Sequence, residues 1–245
     1  MSNLYNNMIS RQKEIFTREE QELLRTTPIV IVGCGGLGGT IIEQFVRAGF
    51  EELTIVDQDV FDETNLNRQI RSNLDTINQS KVETTRIAME KINPNVNITA
   101  YDLTITQDNI SEVFKNSKIL VDAVDNVYTR VLISREAKKQ GMVFVHSAVE
   151  KTTGQLSVFE PGSVSYEELF RLKSVNKPLD EEIKEYLLGI SAKKPQVLGT
   201  TPSIFAALQV NETIKYILGK NDVVLAPTVL MWDLFNISSF RLIDF

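Results

Sequence analysis

The stretch Ile29-Val30-Ile31-Val32-Gly33-Cys34-Gly35-Gly36-Leu37-Gly38 runs four β-branched residues straight into a glycine-rich turn, and then into an apolar segment with helical spacing. Gly33, Gly35 and Gly38 make the pattern G-x-G-x-x-G, and it stands where the pattern has meaning, after a strand and at the opening of a helix. Glycines there permit a tight turn and bring backbone close to a phosphate, and Gly36 adds another position without a side chain. The first turn of the helix supplies unpaired N–H groups and a partial positive charge. A second β-branched run, 52–56, leads to Asp57, roughly twenty residues on, where a carboxylate is placed to take ribose hydroxyls. The stretch thus predicts a nucleotide site built on Gly33, Gly35, Gly36 and Asp57. It leaves NAD, FAD and ATP open, with an NAD-dependent oxidoreductase as the default.

Outward from the loop, strands are expected at 28–32, 52–56, 96–103, 119–123 and 143–148, and helices at 37–48, 81–92, 107–114 and 130–140. Such alternation implies right-handed parallel crossovers, so the fold class is α/β, a doubly wound, mostly parallel, Rossmann-like sheet. Beyond Gly154 the character changes. A strand at 155–159 precedes a charged excursion over 161–200 with one acidic helix near 180–188. A helix at 202–218, ended by Gly219, then leads to strands at 229–234 and 239–243, read as a C-terminal antiparallel extension. With no internal repeat, low-complexity tract or linker, 1–245 reads as one domain, its nucleotide-binding half over 1–150 and its crossover and antiparallel part over 151–245.

The 245 residues, 42% of them hydrophobic, suffice for one substantial core. A formal net charge of −6 without a long basic run argues against a nucleic-acid partner. The polar segment 1–18 is unlike a signal peptide, and no apolar stretch approaches the roughly 18 residues of a membrane span, so a cytoplasmic protein without a membrane partner is expected. Cys34 is the sole cysteine, which removes an intramolecular disulfide and a cysteine-based zinc site from consideration.

After Asp57 the chain reads Gln58-Asp59-Val60, then Asn65-Leu66-Asn67-Arg68-Gln69, then Gln79-Ser80-Lys81-Val82-Glu83. A dinucleotide dehydrogenase has no evident need for these segments. An enzyme joining a carboxylate to the α-phosphate of ATP must neutralise a triphosphate and the departing pyrophosphate, and positioned Arg and Lys side chains do that. Arg68 and Lys81 are the candidates, and the plain alternative for each is an ordinary surface charge. Magnesium bridging the phosphates wants a carboxylate at the end of a parallel strand. In Asp122-Ala123-Val124-Asp125-Asn126 that candidate is Asp125, and Asp122 reads as structural. Asp59 has two readings, as an aid to metal or phosphates or as a cap on the following loop. His146, the one histidine, reads as a core or rim residue, and Cys34 as a small buried filler.

The whole series resembles the ThiF/MoeB/HesA family of adenylating proteins, whose fold recurs in ubiquitin-activating enzymes. The resemblance runs from about Ser10 to the C-terminus and is carried by order and spacing. It takes in Ser10-Arg11-Gln12, the glycine loop, Asp57, the Asn65 to Gln69 stretch, the Lys81 segment and Asp125-Asn126. It continues through Gly154-Gln155 and Ala207-Leu208-Gln209 with Glu212 and Lys215. The resemblance implies that Gly35 and Asp57 contact ATP and that Asn65, Arg68 and Lys81 gather at its phosphates. It further implies that Asp125 holds Mg2+, that Asn126 lies beside the nucleotide, and that Arg11 reaches into the neighbouring subunit's site, making a homodimer the active unit. The activity implied is activation of a carboxylate as its acyl-adenylate, with release of pyrophosphate.

Many relatives carry two Cys-x-x-Cys pairs that hold zinc, and some carry a further cysteine for thioester or persulfide chemistry. Here the first matching stretch reads Pro161-Gly162-Ser163-Val164-Ser165-Tyr166, and 189–200 has no cysteine. Neither structural zinc nor cysteine transfer is expected. Two substrates follow from the resemblance: a ubiquitin-like sulfur-carrier protein with a diglycine tail, or a small-molecule carboxylate of cofactor biosynthesis such as a guanylylpyridinol precursor. The remaining alternatives are the oxidoreductase, which gives Arg68, Lys81 and Asp125 no common task, and a non-catalytic nucleotide-binding partner subunit, which would have lost them.

Overall fold

The computed structural model describes residues 3–193 and 195–245. Two helices, α1 (Asn3–Met8) and α2 (Arg18–Thr26), precede the sheet, with a 3-10 turn at Ser10–Gln12 between them. The alternation then follows as β1 (Ile29–Val32), α3 (Gly38–Ala48), β2 (Glu52–Asp57), α4 (Lys81–Glu90), β3 (Asn97–Asp102), α5 (Ile110–Val113), β4 (Ile119–Asp122), α6 (Val127–Gln140) and β5 (Val143–Glu150). The chain continues through β6 (Thr153–Phe159), α7 (Tyr166–Leu169), α8 (Glu181–Ile190), α9 (Thr200–Ile217), β7 (Thr228–Asp233) and β8 (Arg241–Asp244).

The eight strands lie in the order β3-β2-β1-β4-β5-β6-β7-β8. Those from β3 to β5 pair in parallel, and β5 to β8 pair antiparallel. β1 is central and buried at all four positions, which is why it reads as an unbroken β-branched run rather than an alternation. Its side chains part by pleat. Ile29 and Ile31 join Phe45, Val145 and Phe205 in a core beneath α3 and α9, whereas Val30 and Val32 join Leu120, Ile133, Phe144 and Tyr166 beneath α6 and α7.

Some elements differ from the sequence reading. The helix expected at 107–114 is one short turn, α5, because the Asn109 side chain braces the preceding loop, accepting from Thr106 N–H at 2.8 Å and donating to Thr104 O at 2.8 Å. α6 begins earlier than expected, capped by Asn126, whose Oδ1 accepts from Thr129 N–H at 2.8 Å. α2 was not anticipated, although Thr17 and Glu20 form a capping box. Glu20 N–H donates to Thr17 Oγ1 at 3.1 Å, and Thr17 N–H donates to Glu20 Oε2 at 2.9 Å.

Between β1 and β4 the strand order reverses, and a crevice opens there at the carboxyl ends of the strands. The glycine loop after β1, the loop after β2 and the loop after β4 all meet at this point. The start of α9 joins them from the far side of the long crossover.

Candidate active site

The glycine loop is set by close backbone packing. Gly33 has a φ of +103°, its N–H donates to Val56 O at 2.7 Å, and a Cβ there would run into the Ala123 carbonyl. The same carbonyl region leads on to Asp125 and Asn126, so this contact ties the glycine loop to the loop after β4. Gly35 lies against the Gln69 side chain, whose nitrogen is 3.7 Å from where a Cβ would stand. Gly36 faces Pro202 at the start of α9, at 3.4 Å by the same measure, and the Arg68 stem at 3.7 Å.

Asp57 closes β2 beneath the loop. Its Oδ2 accepts from Cys34 N–H at 2.6 Å and its Oδ1 from Asp59 N–H at 2.8 Å. Burial raises its carboxyl above the usual range, opposed by those two N–H groups and by Lys81. Cys34 is fully buried, and burial beside Asp57 pushes its thiol well above the ordinary value, so the thiolate needed for nucleophilic attack is suppressed.

Lys81 opens α4 and is 6% exposed. Its ammonium pairs with Asp59 Oδ2 at 3.0 Å, and its N–H donates to Asp59 O at 3.0 Å. Asp59 thus anchors the start of α4 through its backbone and faces the candidate cation through its side chain. Arg68 NH1 donates to Thr64 O at 2.7 Å and Asn67 Oδ1 at 2.8 Å, and no carboxylate pairs with it among the described residues. Asn65 is buried, receiving Asp62 N–H at 3.4 Å and donating to Thr64 Oγ1 at 3.3 Å, while its carbonyl accepts from Arg68 N–H at 3.1 Å. It holds the Arg68 turn in shape. Asp125 is exposed and has no ion-pair partner among the described residues.

The structure therefore brings Gly33, Gly35, Gly36, Asp57, Asp59, Arg68 and Lys81 around one crevice, with Asn65 supporting the Arg68 turn and Asp125 and Asn126 on its β4 side. Arg11 stands apart. Its neighbour Gln12 donates to Ala48 O at 2.8 Å and to Gln21 Oε1 at 2.8 Å, which fixes the turn to the C-terminal end of α3, opposite the glycine loop. Gln69 carried no role in the sequence reading beyond its place in the motif. It is 7% exposed, and its Oε1 is buried without a hydrogen-bond partner among the described residues. Such an atom costs about 1–3 kcal/mol until a donor reaches it. An unsatisfied amide beside Gly35 fits a crevice that receives a polar ligand. A surface cavity of ≈ 280 Å³, lined in part by Arg135, Lys138, Glu167 and Lys177, contains none of the residues named above.

Under the β4 loop lies a buried polar cluster. Asp122 Oδ2 accepts from Arg130 Nε at 2.6 Å and from His146 Nδ1 at 2.7 Å, and Gln155 Nε2 donates to His146 Nε2 at 3.1 Å. This assigns the neutral Nδ1–H tautomer to His146. Burial alone would raise the Asp122 carboxyl, but Arg130 and His146 overcome it and hold it below the usual range, while burial lowers His146. Because the folded state holds the imidazole proton less readily than the unfolded chain, stability falls as pH drops through about 6.5. Thermal unfolding between about pH 7 and about pH 5 is expected to lose more of its midpoint in the native protein than in His146→Asn, which keeps a donor to Asp122 and cannot titrate. Equal slopes would show that His146 takes up its proton as readily in the folded protein as in the unfolded chain.

Helices α3, α4, α6 and α9 begin beside this crevice, with Arg68, the buried Lys81 and the exposed Asp125 around it. A switch-point crevice of this kind, with a glycine loop and basic side chains, defines the class of α/β nucleotide-binding proteins. The chain belongs to the ThiF family, whose profile matches residues 9–244. It is 31% identical over 222 residues to the molybdopterin-synthase adenylyltransferase of Haemophilus influenzae, covering 89% of this chain and 85% of that one. It is 30% identical over 204 residues to the SAMP-activating enzyme E1 of Haloferax volcanii, covering 83% and 72%. Among solved structures, E. coli MccB with ATP shares the fold at a TM-score of 0.80 with 20% identity, over 100% of this chain and 73% of that one. The chain is an enzyme of the adenylyltransferase class, which resolves the choice that the glycine loop left open. Among the described residues, no helix is long and apolar enough to cross a membrane.

Proposed function

We propose that this chain binds ATP with magnesium and activates the C-terminal carboxylate of a ubiquitin-like sulfur-carrier protein as its acyl-adenylate, releasing pyrophosphate. The observation that carries this reading is the gathering of Arg68, Lys81 and Asp125 around a glycine loop, with Arg68 and Asp125 free of ion-pair partners among the described residues. The named activities of relatives support the substrate. They include a molybdopterin-synthase adenylyltransferase, a SAMP-activating enzyme and, at 28% identity, a sulfur carrier protein adenylyltransferase of Thermus thermophilus.

In this reading a carboxylate oxygen bonds to the α-phosphorus as the bond to pyrophosphate breaks. Gly35 and Gly36 admit the phosphates to backbone N–H groups, Asp57 takes the ribose hydroxyls, and Asn126 lies beside the nucleotide. Arg68 and Lys81 balance the charge that develops on pyrophosphate, Lys81 leaving Asp59 or sharing it. Magnesium, when bound, supplies charge neutralisation across the phosphate oxygens. Asp125 would hold it, which agrees with a cation that takes few protein carboxylates and completes its shell with phosphate and water. Arg11, remote from its own crevice, would serve a second copy, and the active unit in this reading is a homodimer. The whole chain acts as one adenylation domain, in the cytoplasm where ATP is at hand.

A second reading, a small-molecule carboxylate as substrate, is favoured by one observation. Cys34 is the sole cysteine and is buried, so the chain has no thiol to relay an acyl group and the product leaves as the adenylate. Pyrophosphate exchange into ATP with magnesium separates the two. Exchange dependent on a diglycine-tailed carrier supports the first reading, exchange dependent on a small acid supports the second, and exchange with neither removes both.

A further inference from the structure

The loop that carries Asp125 is tied down on both sides of that residue. Ala123 N–H donates to Val32 O at 3.0 Å, Val124 N–H donates to Asp122 Oδ1 at 3.1 Å, and Val124 O accepts from Arg130 NH2 at 2.5 Å. On the other side, Asn126 Oδ1 caps α6 and Val127 N–H donates to Ser191 Oγ at 3.2 Å. Below, Gln209 Nε2 on α9 donates to Asp122 O at 2.9 Å and to Val145 O at 2.8 Å. Asp125 stands at the apex, with its carboxylate exposed.

Arg130 is the hub of this arrangement. It is 6% exposed, and its fork grips Asp122 through Nε and the Val124 carbonyl through NH2. A buried ion pair is weak evidence of stabilisation, since desolvation offsets most of its attraction and an apolar pair of like volume often serves as well. What an apolar pair cannot do is fix a carbonyl and a carboxylate at a set angle to each other, which the rigid planar guanidinium does. His146 completes the cluster as a neutral donor, leaving Asp122 as the counter-ion of Arg130 alone.

We propose that Arg130, with Asp122 as its buried counter-ion, is the positioning residue that sets where Asp125 and Asn126 stand in the nucleotide crevice. It touches no substrate itself and acts through the 123–126 loop. This rests on the reading of Asp125 as the magnesium-side carboxylate.

Three variants test it: Arg130→Lys, which keeps the charge but not the fork; the pair Asp122→Asn with Arg130→Met, which removes both buried charges together; and Asp125→Ala. The readouts are thermal unfolding, calorimetric ATP binding with magnesium and with EDTA, and hydrogen exchange of the 123–127 amides in the nucleotide-free protein. Arg130→Lys and the double variant are expected to fold, to exchange the 123–127 amides faster, and to bind ATP about tenfold or more weakly in magnesium, with a smaller loss in EDTA from Asn126 alone. Native-like affinity in magnesium, or unchanged exchange of those amides in Arg130→Lys, would overturn the proposal and leave the cluster as packing alone. Asp125→Ala reports on the underlying reading. If it binds ATP in magnesium as the native protein does, the metal assignment falls, whereas a defect in Asp125→Ala with none in the Arg130 variants overturns the positioning role only.

Discussion

Arg68→Ala lowers carboxylate-dependent exchange of pyrophosphate into ATP by about 100-fold or more and leaves the thermal midpoint nearly where it was. The two halves of that expectation have separate causes. The guanidinium of Arg68 is bound to Thr64 O and to Asn67 Oδ1, both at the surface, where water replaces a lost donor at a cost of about 1 kcal/mol or less. Its charge, by contrast, has no ion-pair partner among the described residues, and its stem lies beside Gly36, so the side chain can reach the pyrophosphate that leaves in the proposed reaction. Lys81→Met is expected to cost exchange on the same scale. Asp59, 57% exposed at its side chain, keeps its charge in water when that partner is gone, so the fold survives this change as well. Asp125→Ala completes the set through the apparent magnesium requirement. Exchange retained at native level in both Arg68→Ala and Asp125→Ala would sink the assignment of this crevice as the adenylating site.

The parts legible in the sequence were those whose signal is local. The glycine loop announces itself because strand, turn and helix are consecutive, and Asp57 because it ends the next buried strand. The antiparallel extension was also legible, since the segments 229–234 and 239–243 read as alternating strands after a marked change in composition. What escaped is set by contacts between distant segments. Asp122, Arg130, His146 and Gln155 are spread over 34 positions and converge through β4, α6, β5 and β6, and no spacing rule joins them. Asp122 was read as structural from its type and place, yet its partners were invisible. Gln69 stood inside the recognised motif, but an unsatisfied Oε1 is a property of the folded neighbourhood and has no sequence signal of its own. The α2 capping box was within reach, because Thr17-Arg18-Glu19-Glu20 is the S/T-x-x-E form. The helix it opens buries only Gln21 and Leu24, so no broad apolar face reinforces that signal in the sequence.

Gly38→Ala is expected to abolish the folded loop, and Gly36→Ala to spare the fold and still impair the site. Gly38 is the first residue of α3, and a Cβ there would occupy the position of the Gly33 carbonyl oxygen, with Ala123 Cβ at 3.2 Å on the other side. Neither neighbour can yield freely. Gly33 is held to Val56 O by its N–H and has a left-handed φ, and Ala123 is held to Val32 O. Relief requires α3 to shift against a core that includes Ile41, Ile42 and Phe45, all fully buried. Overpacking against backbone of this kind costs about 3 kcal/mol or more, which lowers the midpoint by about 6–12 °C or prevents accumulation of soluble protein. Gly36 meets no such wall, because its Cβ would stand 3.4 Å from the Pro202 side chain and 3.7 Å from the Arg68 stem, near ordinary contact, and its φ is not left-handed. The added methyl fills part of the gap between the glycine loop, α9 and Arg68. Differential scanning calorimetry with and without ATP and magnesium separates the two effects, with Gly36→Ala keeping its apo midpoint and losing most of the nucleotide-induced rise. A full rise in Gly36→Ala would place the phosphates elsewhere, because a methyl group and a phosphate oxygen cannot share the space between Gly36 and Arg68.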